Sequence, residues 1–138
     1  MVKLIVGVKG TGKTKTLIGL VNSAAAESKG SVVCIERGSK LNYDITHKAR
    51  LVDTKAFSIS GADALYGFIA GMLASNHDIT DIYVDSALKI CDDNMAEFEK
   101  FVVAVDKLVT DASIKCEMTV SAAVEDLAKS LKPFIELH

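Results

Sequence analysis

The chain has 138 residues, a length that suits one domain with a hydrophobic core of its own. Apolar residues make up 49% and charged residues 25%, which is the balance of an ordinary globular protein. The formal net charge is −2, aromatic residues are 6% and tryptophan is absent. This composition lacks the basic excess and the stacking surfaces of nucleic-acid-binding proteins, so nucleic acid is disfavoured as a partner.

The cysteines and the first residues bear on location. Cys34, Cys91 and Cys116 lie far apart without metal-ligand spacing, so we expect buried thiols in a reducing compartment. Residues 1–6 lead straight into a glycine loop without the pattern of a signal peptide. No stretch reaches the ~20 apolar residues that span a bilayer. We therefore expect a cytoplasmic protein with no membrane segment.

Short apolar runs alternate with segments of helical periodicity, which is typical of a parallel α/β sheet. The predicted strands cover residues 2–6, 31–36, 79–85, 114–120 and 133–137, and the predicted helices cover 13–28, 61–75, 95–110 and 124–131. Residues 37–56 are predicted as a long loop with one short strand at most, because Leu51 and Val52 form its only apolar pair.

Two of the predicted helices begin with residues at capping-box spacing. Ser60 and Asp63 precede the 61–75 helix, and Asn94 and Glu97 precede the 95–110 helix. We expect Ser60 and Asn94 to accept hydrogen bonds from backbone amides in the first helical turn.

The glycine loop consists of Gly7, Val8, Lys9, Gly10, Thr11, Gly12, Lys13 and Thr14, and it matches G-x-x-x-x-G-K-[ST] at every fixed position. Glycines let the backbone bend so that its amides face a phosphate, and the next helix adds the positive end of its dipole. Lys13 is expected to reach the β- and γ-phosphates, and the Thr14 hydroxyl to ligate Mg²⁺. Because a strand precedes the loop and a helix follows it, we interpret residues 7–15, with Lys15, as a P-loop. The alternative is a glycine-rich turn with an accidental lysine.

An acidic residue at the end of a neighbouring strand is expected to hold the metal ion. Residues 82–84 form an apolar run that ends at Asp85, so Asp85 is the candidate Walker B residue and, with Thr14, the predicted Mg²⁺ site.

The run over 82–84 followed by Asp85 and Ser86, together with the P-loop and the order of elements, resembles RecA-like ATPases. The resemblance implies that Glu36, at the end of the second strand, activates the attacking water. It also implies that Ser121, or Thr119, senses the γ-phosphate. The alternative for Glu36 is a solvated ion pair with Arg37. No acidic residue follows Asp85 directly, so the paired acids of AAA+ and ABC proteins are not matched.

A guanine-specific motif is lacking, so ATP is the default nucleotide by elimination. Five basic residues occur between positions 37 and 55, and this region is interpreted either as a substrate or partner loop or as a solvated connection. His47, His77 and His138 are scattered and are expected at the surface.

These features predict one P-loop domain over residues 1–138, with a three-layer α/β/α fold and a mostly parallel, roughly five-stranded sheet. The leading hypothesis is an ATP-binding protein that hydrolyses ATP slowly with Mg²⁺, and that needs a protein partner or a second copy of itself for useful turnover. Lys13 and Glu36 are the candidate catalytic residues. The alternatives are a nucleotide-sensing module that does not hydrolyse ATP, and a small-molecule phosphotransferase.

Overall fold

The computed structural model describes residues 1–137, of which Leu137 is described by its backbone only. The helices and strands in chain order are β1 (Val2–Gly7), α1 (Lys13–Glu27), β2 (Ser31–Glu36), β3 (Ala49–Asp53), α2 (Ala62–Ser75), β4 (Ile79–Val84), α3 (Ala87–Ile90), α4 (Met95–Asp111), β5 (Lys115–Ser121) and β6 (Ile135–Leu137). His47 and His77 are exposed, as expected, whereas His138 lies outside the described residues.

The strands form one sheet with the order β3-β2-β4-β5-β1-β6, and every pairing in it is parallel. The sheet therefore has six strands where about five were expected. The sixth is β3, the short strand anticipated in the 37–56 region. Since all strands run in the same direction, their carboxyl ends lie at one edge of the sheet.

Helices cover both faces of the sheet, which gives the three predicted layers. On one face, α1 packs through Leu17 and Val21 against Ile5 and Tyr83. On the other face, α2, α3 and α4 bury a larger apolar cluster. Among residues 1–137, none of the helices has the length and apolar character needed to cross a membrane.

The burial of strand β1 explains why its sequence is mostly apolar instead of alternating between apolar and polar residues. Val2, Leu4 and Val6 point into the cluster beneath α4, while Ile5 points into the cluster beneath α1. A parallel strand inside such a sheet is buried on both faces, so its sequence does not alternate between apolar and polar residues.

Two local expectations are wrong. Gly61 is the N-cap residue of α2, and this helix has no side-chain cap, because the Ser60 hydroxyl donates instead to the Asp92 carboxylate at 3.2 Å. The segment expected as one helix over 124–131 forms two 3₁₀ segments, Val124–Asp126 and Lys129–Phe134. Segments this short favour the tighter 3₁₀ turn over a separate α-helix.

The second capping expectation is confirmed and gives a stability test. The Asn94 side-chain oxygen accepts a hydrogen bond from the Glu97 amide at 3.1 Å, at the start of α4. We expect Asn94→Ala to lower the free energy of unfolding by about 1 kcal/mol, because this amide loses its partner. Urea denaturation measures the change. Asn94→Asp retains an acceptor and should unfold within about 0.5 kcal/mol of wild type; equal losses in both variants would contradict the cap.

Candidate functional site

The predicted site residues lie at the carboxyl edge of the sheet. The glycine loop follows β1, Glu36 ends β2, Asp85 follows β4 and Ser121 ends β5. In open α/β sheets, ligands bind at this edge. The parallel pairing therefore brings together residues that are more than a hundred positions apart in the chain.

The glycine loop turns sharply between β1 and α1. Gly10 and Gly12 have φ angles of 88° and 85°, a left-handed conformation that side-chain-bearing residues rarely adopt. Gly12 occupies the N-cap position of α1, and no side chain caps the first amides of this helix. Uncapped amides at the positive end of a helix dipole are suited to binding an anion.

The Lys13 side chain lies inside the loop instead of extending into solvent. Its ammonium donates a hydrogen bond to the Val8 carbonyl at 3.0 Å, and the Thr11 hydroxyl donates to the same oxygen at 2.8 Å. Lys13 is only 6% exposed. The cation is thus held near the uncapped amides, where a phosphate chain would meet it.

Two side chains donate hydrogen bonds to Asp85. The Thr14 hydroxyl donates to Asp85 Oδ1 at 3.1 Å, and the Thr119 hydroxyl donates to the same oxygen at 2.8 Å. The Thr119 oxygen in turn accepts a hydrogen bond from the Ser86 amide at 2.7 Å. The Thr14 hydroxyl and the Asp85 carboxylate, which the sequence predicted separately as site residues, are therefore in direct contact.

The position of β5 explains how Thr119 comes to lie beside Asp85. Strand β5 lies between β1 and β4, so Asp85 is two strand spacings, about 10 Å, from the end of β1. Thr119 sits on the intervening strand and holds the carboxylate from below, while α1 brings Thr14 to it from above. Sequence reasoning placed Thr119 only as an alternative to Ser121 and gave it no contact with Asp85.

Glu36 is buried and already bonded. It is 3% exposed, and its two carboxylate oxygens accept hydrogen bonds from the backbone amides of Lys40 and Leu41 at 3.1 and 3.2 Å. The alternative of a solvated ion pair with Arg37 is therefore wrong. Burial raises the pKa of Glu36, and the nearby charges of Asp85 and Asp53 raise it further, against the lowering effect of the two amides.

The same negative charges act on the thiol beneath the site. Burial, with the charges of Asp85 and Glu36, raises the pKa of Cys34 to about 12. Cys34 is therefore an inert thiol at neutral pH.

A cleft of about 410 Å³ opens over these residues. It is lined by Lys9, Gly10, Gly12, Lys13, Thr14, Lys15, Lys40, Leu41, Asp85, Ser86, Leu88, Lys89, Asp93 and Ser121. Five of these residues are lysines and two are aspartates, so the cleft is cationic overall. The other predicted site residues, Gly7, Val8, Thr11 and Glu36, are not among the residues that line the cleft.

Sequence reasoning missed two of the five lysines as cleft residues. Lys40 follows β2, in a region predicted as a loop of undecided role, and Lys89 lies on α3, a one-turn helix with no signal in the sequence. A four-residue helix is too short to show helical periodicity in the sequence. The only signal that could have assigned Lys89 to the cleft is its position four residues after Asp85.

The donor atoms at Asp85 fit a magnesium ion. A threonine hydroxyl and a carboxylate are hard oxygen donors, and Mg²⁺ in nucleotide sites takes one or two such ligands together with phosphate oxygens and water. Within the described residues, no group of three or more His, Cys, Asp and Glu side chains is arranged to hold a metal ion. Thr14 and Asp85 are the residues that would hold Mg²⁺ at this position.

No protein-family model and no curated protein sequence matches this chain. Among solved structures, the chain is similar to PCH-2 from C. elegans, with a TM-score of 0.57 and 17% sequence identity. The similarity covers 99% of this chain and 34% of PCH-2, so the chain spans about a third of the length of that protein. At this identity the likeness concerns the fold alone, which is a three-layer α/β/α fold of the P-loop type.

The Thr119 contacts give a test that needs no ligand. Thr119 is 2% exposed, and Thr119→Val would leave the Ser86 amide and one Asp85 oxygen without this partner. We expect the free energy of unfolding to fall by about 1–3 kcal/mol, the cost of buried polar groups left unpaired. Thr119→Ser keeps the hydroxyl and should lose clearly less in the same urea titration. A valine variant as stable as the serine variant would contradict the bridging role.

Proposed function

We propose that this protein binds Mg-ATP in the lysine-lined cleft and hydrolyses it slowly. The observation that carries the proposal is the 3.1 Å contact between the Thr14 hydroxyl and the Asp85 carboxylate. This contact joins a complete P-loop motif to an acidic strand end, in a cleft rich in cations. ATP is chosen over GTP because the sequence lacks a guanine-specific motif.

In the proposed complex, different residues bind the phosphate chain and the magnesium ion. The amides at the start of α1 and the Lys13 ammonium bind the phosphate chain, for which Lys13 exchanges the Val8 carbonyl for a phosphate oxygen. Thr14 and Asp85 hold Mg²⁺, and Thr119 keeps the Asp85 carboxylate in place. The magnesium ion, when bound, neutralises charge that develops on the phosphate oxygens.

Slow turnover follows from the residues that surround the cleft. Neither of the two arginines of the chain, Arg37 and Arg50, is among the residues that line it. Arginines supplied to a nucleotide site from a second chain accelerate phosphoryl transfer strongly. We therefore also propose that a protein partner, or a second copy of this chain, completes the nucleotide site.

A nucleotide-sensing module that does not hydrolyse ATP is the second candidate. The observation that favours it is the state of Glu36, since both oxygens of the predicted water-activating carboxylate are bonded to backbone amides. The phosphotransferase alternative has no comparable support. His47, Lys48 and Arg50, which belong to the basic region over 37–55, line a separate cavity with Gly30 and Ser31 at the amino ends of β2 and β3.

The first test is nucleotide-dependent stability. At a hundredfold excess over its Kd, Mg-ATP should raise the free energy of unfolding by about 2.7 kcal/mol. Lys13→Ala should lose most of this gain, because the phosphate chain loses its main side-chain cation. Thermal unfolding with ATP, GTP and ADP measures the effect and the base preference. Lys29→Ala, an exposed lysine beyond the end of α1, is the matched control; no stabilisation of wild type by any nucleotide would contradict the proposal.

The second test concerns the metal ion. Asp85→Asn preserves the size of the side chain but removes its charge, so the apparent affinity for Mg²⁺ in the presence of ATP should fall about 10–100-fold. This affinity is obtained by titrating magnesium at a fixed ATP concentration and measuring the thermal unfolding of the protein at each magnesium concentration. Asp111→Asn, at the distal end of α4, removes one charge elsewhere and should match wild type. An equal response of both variants would contradict the assignment of Asp85.

A measurement of ATP turnover distinguishes the slow ATPase from the nucleotide-sensing module. Phosphate release from saturating Mg-ATP is expected for the slow ATPase and absent for the sensing module. Formation of ADP only after an acceptor molecule is added would instead indicate a phosphotransferase.

A further inference from the structure

The loop between β2 and β3, residues 37–48, is fixed by the Glu36 side chain. Glu36 lies one residue before the loop, and its carboxylate turns back to accept the amides of Lys40 and Leu41. Between them, Gly38 has a φ of 108°, and its amide donates to Asp53 at 2.7 Å. The first half of the loop is therefore wound around a buried carboxylate.

The second half of the loop is attached to α1. The Asn22 side chain donates to the Asp44 carbonyl at 2.8 Å and accepts from the Thr46 amide at 2.9 Å. Leu41 and Ile45 are buried in the cluster beneath α1, at 4% and 7% exposure. The loop is thus a built part of the fold and not a solvated connection.

This anchoring places Lys40 in the nucleotide cleft. The residue is exposed and lines the cleft together with Lys13, Thr14 and Asp85. Strand β2 is three strand spacings, about 14 Å, from β1, so Lys40 enters the cleft from the side away from the P-loop. Within residues 1–137, the one ion pair joins Lys100 to Glu97, which means that the Lys40 ammonium has no carboxylate partner there.

We propose that Lys40 is a phosphate-binding residue of this cleft and that Glu36 is the positioning residue that holds it there. The proposal rests on the proposed function, since it assigns the phosphate chain of Mg-ATP as the ligand. Lys13 binds the chain from the P-loop side and Lys40 from the side of β2. The carboxylate of Glu36 contributes through the backbone of Lys40 and not by activating water.

The role of Lys40 is tested by nucleotide affinity, measured by calorimetric titration with Mg-ATP and with AMP. Lys40→Ala should weaken Mg-ATP binding about tenfold, the effect of one charge-assisted hydrogen bond, and should change AMP binding much less. Lys40→Arg keeps the charge and should restore most of the affinity. Lys48→Ala is the matched control, because Lys48 is exposed on the same loop but lines the other cavity.

The role of Glu36 is tested by a double-mutant cycle. Glu36→Gln replaces one acceptor oxygen with an amide group that faces a backbone N–H, so the loop should loosen and Mg-ATP binding should weaken about three- to tenfold. In the Lys40→Ala background, the same change should add little, because the residue that Glu36 positions is already gone. Amide hydrogen exchange provides a second readout, in which the Lys40 and Leu41 amides should exchange faster in Glu36→Gln.

Each possible failure has a distinct meaning. Normal Mg-ATP affinity in Lys40→Ala, with wild type binding and Lys13→Ala deficient, overturns the role of Lys40 and leaves the proposed function intact. Additive losses in the cycle, or unchanged amide exchange in Glu36→Gln, overturn the positioning role. Loss of turnover in Glu36→Gln at unchanged affinity identifies Glu36 as the water-activating base instead. If wild type itself fails to bind any nucleotide, the proposed function is wrong and this inference falls with it.

Discussion

Parallel pairing of β5 between β1 and β4 is the constraint on which the candidate site depends. It puts the ends of three strands side by side and spaces the P-loop and Asp85 two strands apart. Thr119 lies on the middle strand. Side chains alternate between the two faces of the sheet along each strand, and this alternation puts Thr119 and Asp85 on the same face. The hydroxyl of Thr14 completes the contact only because α1 starts directly above that face.

Charge is distributed in two opposing layers at this edge. The sheet contributes the carboxylates, of which Glu36 is buried and Asp85 is half-buried. The loops and helix ends above contribute lysines that line the cleft. A polyphosphate with a bound divalent cation presents the complementary arrangement, with the cation toward the carboxylates and phosphate oxygens toward the lysines.

Sequence reasoning recovered the fold because its signals are local and strong. The apolar run of β1, the glycine loop and the period of α1 each identify an element without knowledge of the rest. It failed where a tertiary partner decides the outcome, as when Asp92 takes the hydroxyl of Ser60 away from the helix that Ser60 was expected to cap. The hydrogen bonds of Glu36 could not be predicted from the sequence for the same reason, since they depend on how the following loop folds back.

The pairing partners of β1 have a consequence for how the chain acquires its structure. Val2 pairs with Cys116, and Leu4 pairs with Ile135, so β1 finds both of its neighbours more than 110 positions later in the sequence. Contacts of such long sequence separation form late and slowly in folding. The glycine loop follows β1, so we expect it to take its final shape late in folding, after β5 and β6 have paired with that strand. Removal of β5 and β6 would leave β1 without either neighbour, and the glycine loop would then lack the strand that supports it.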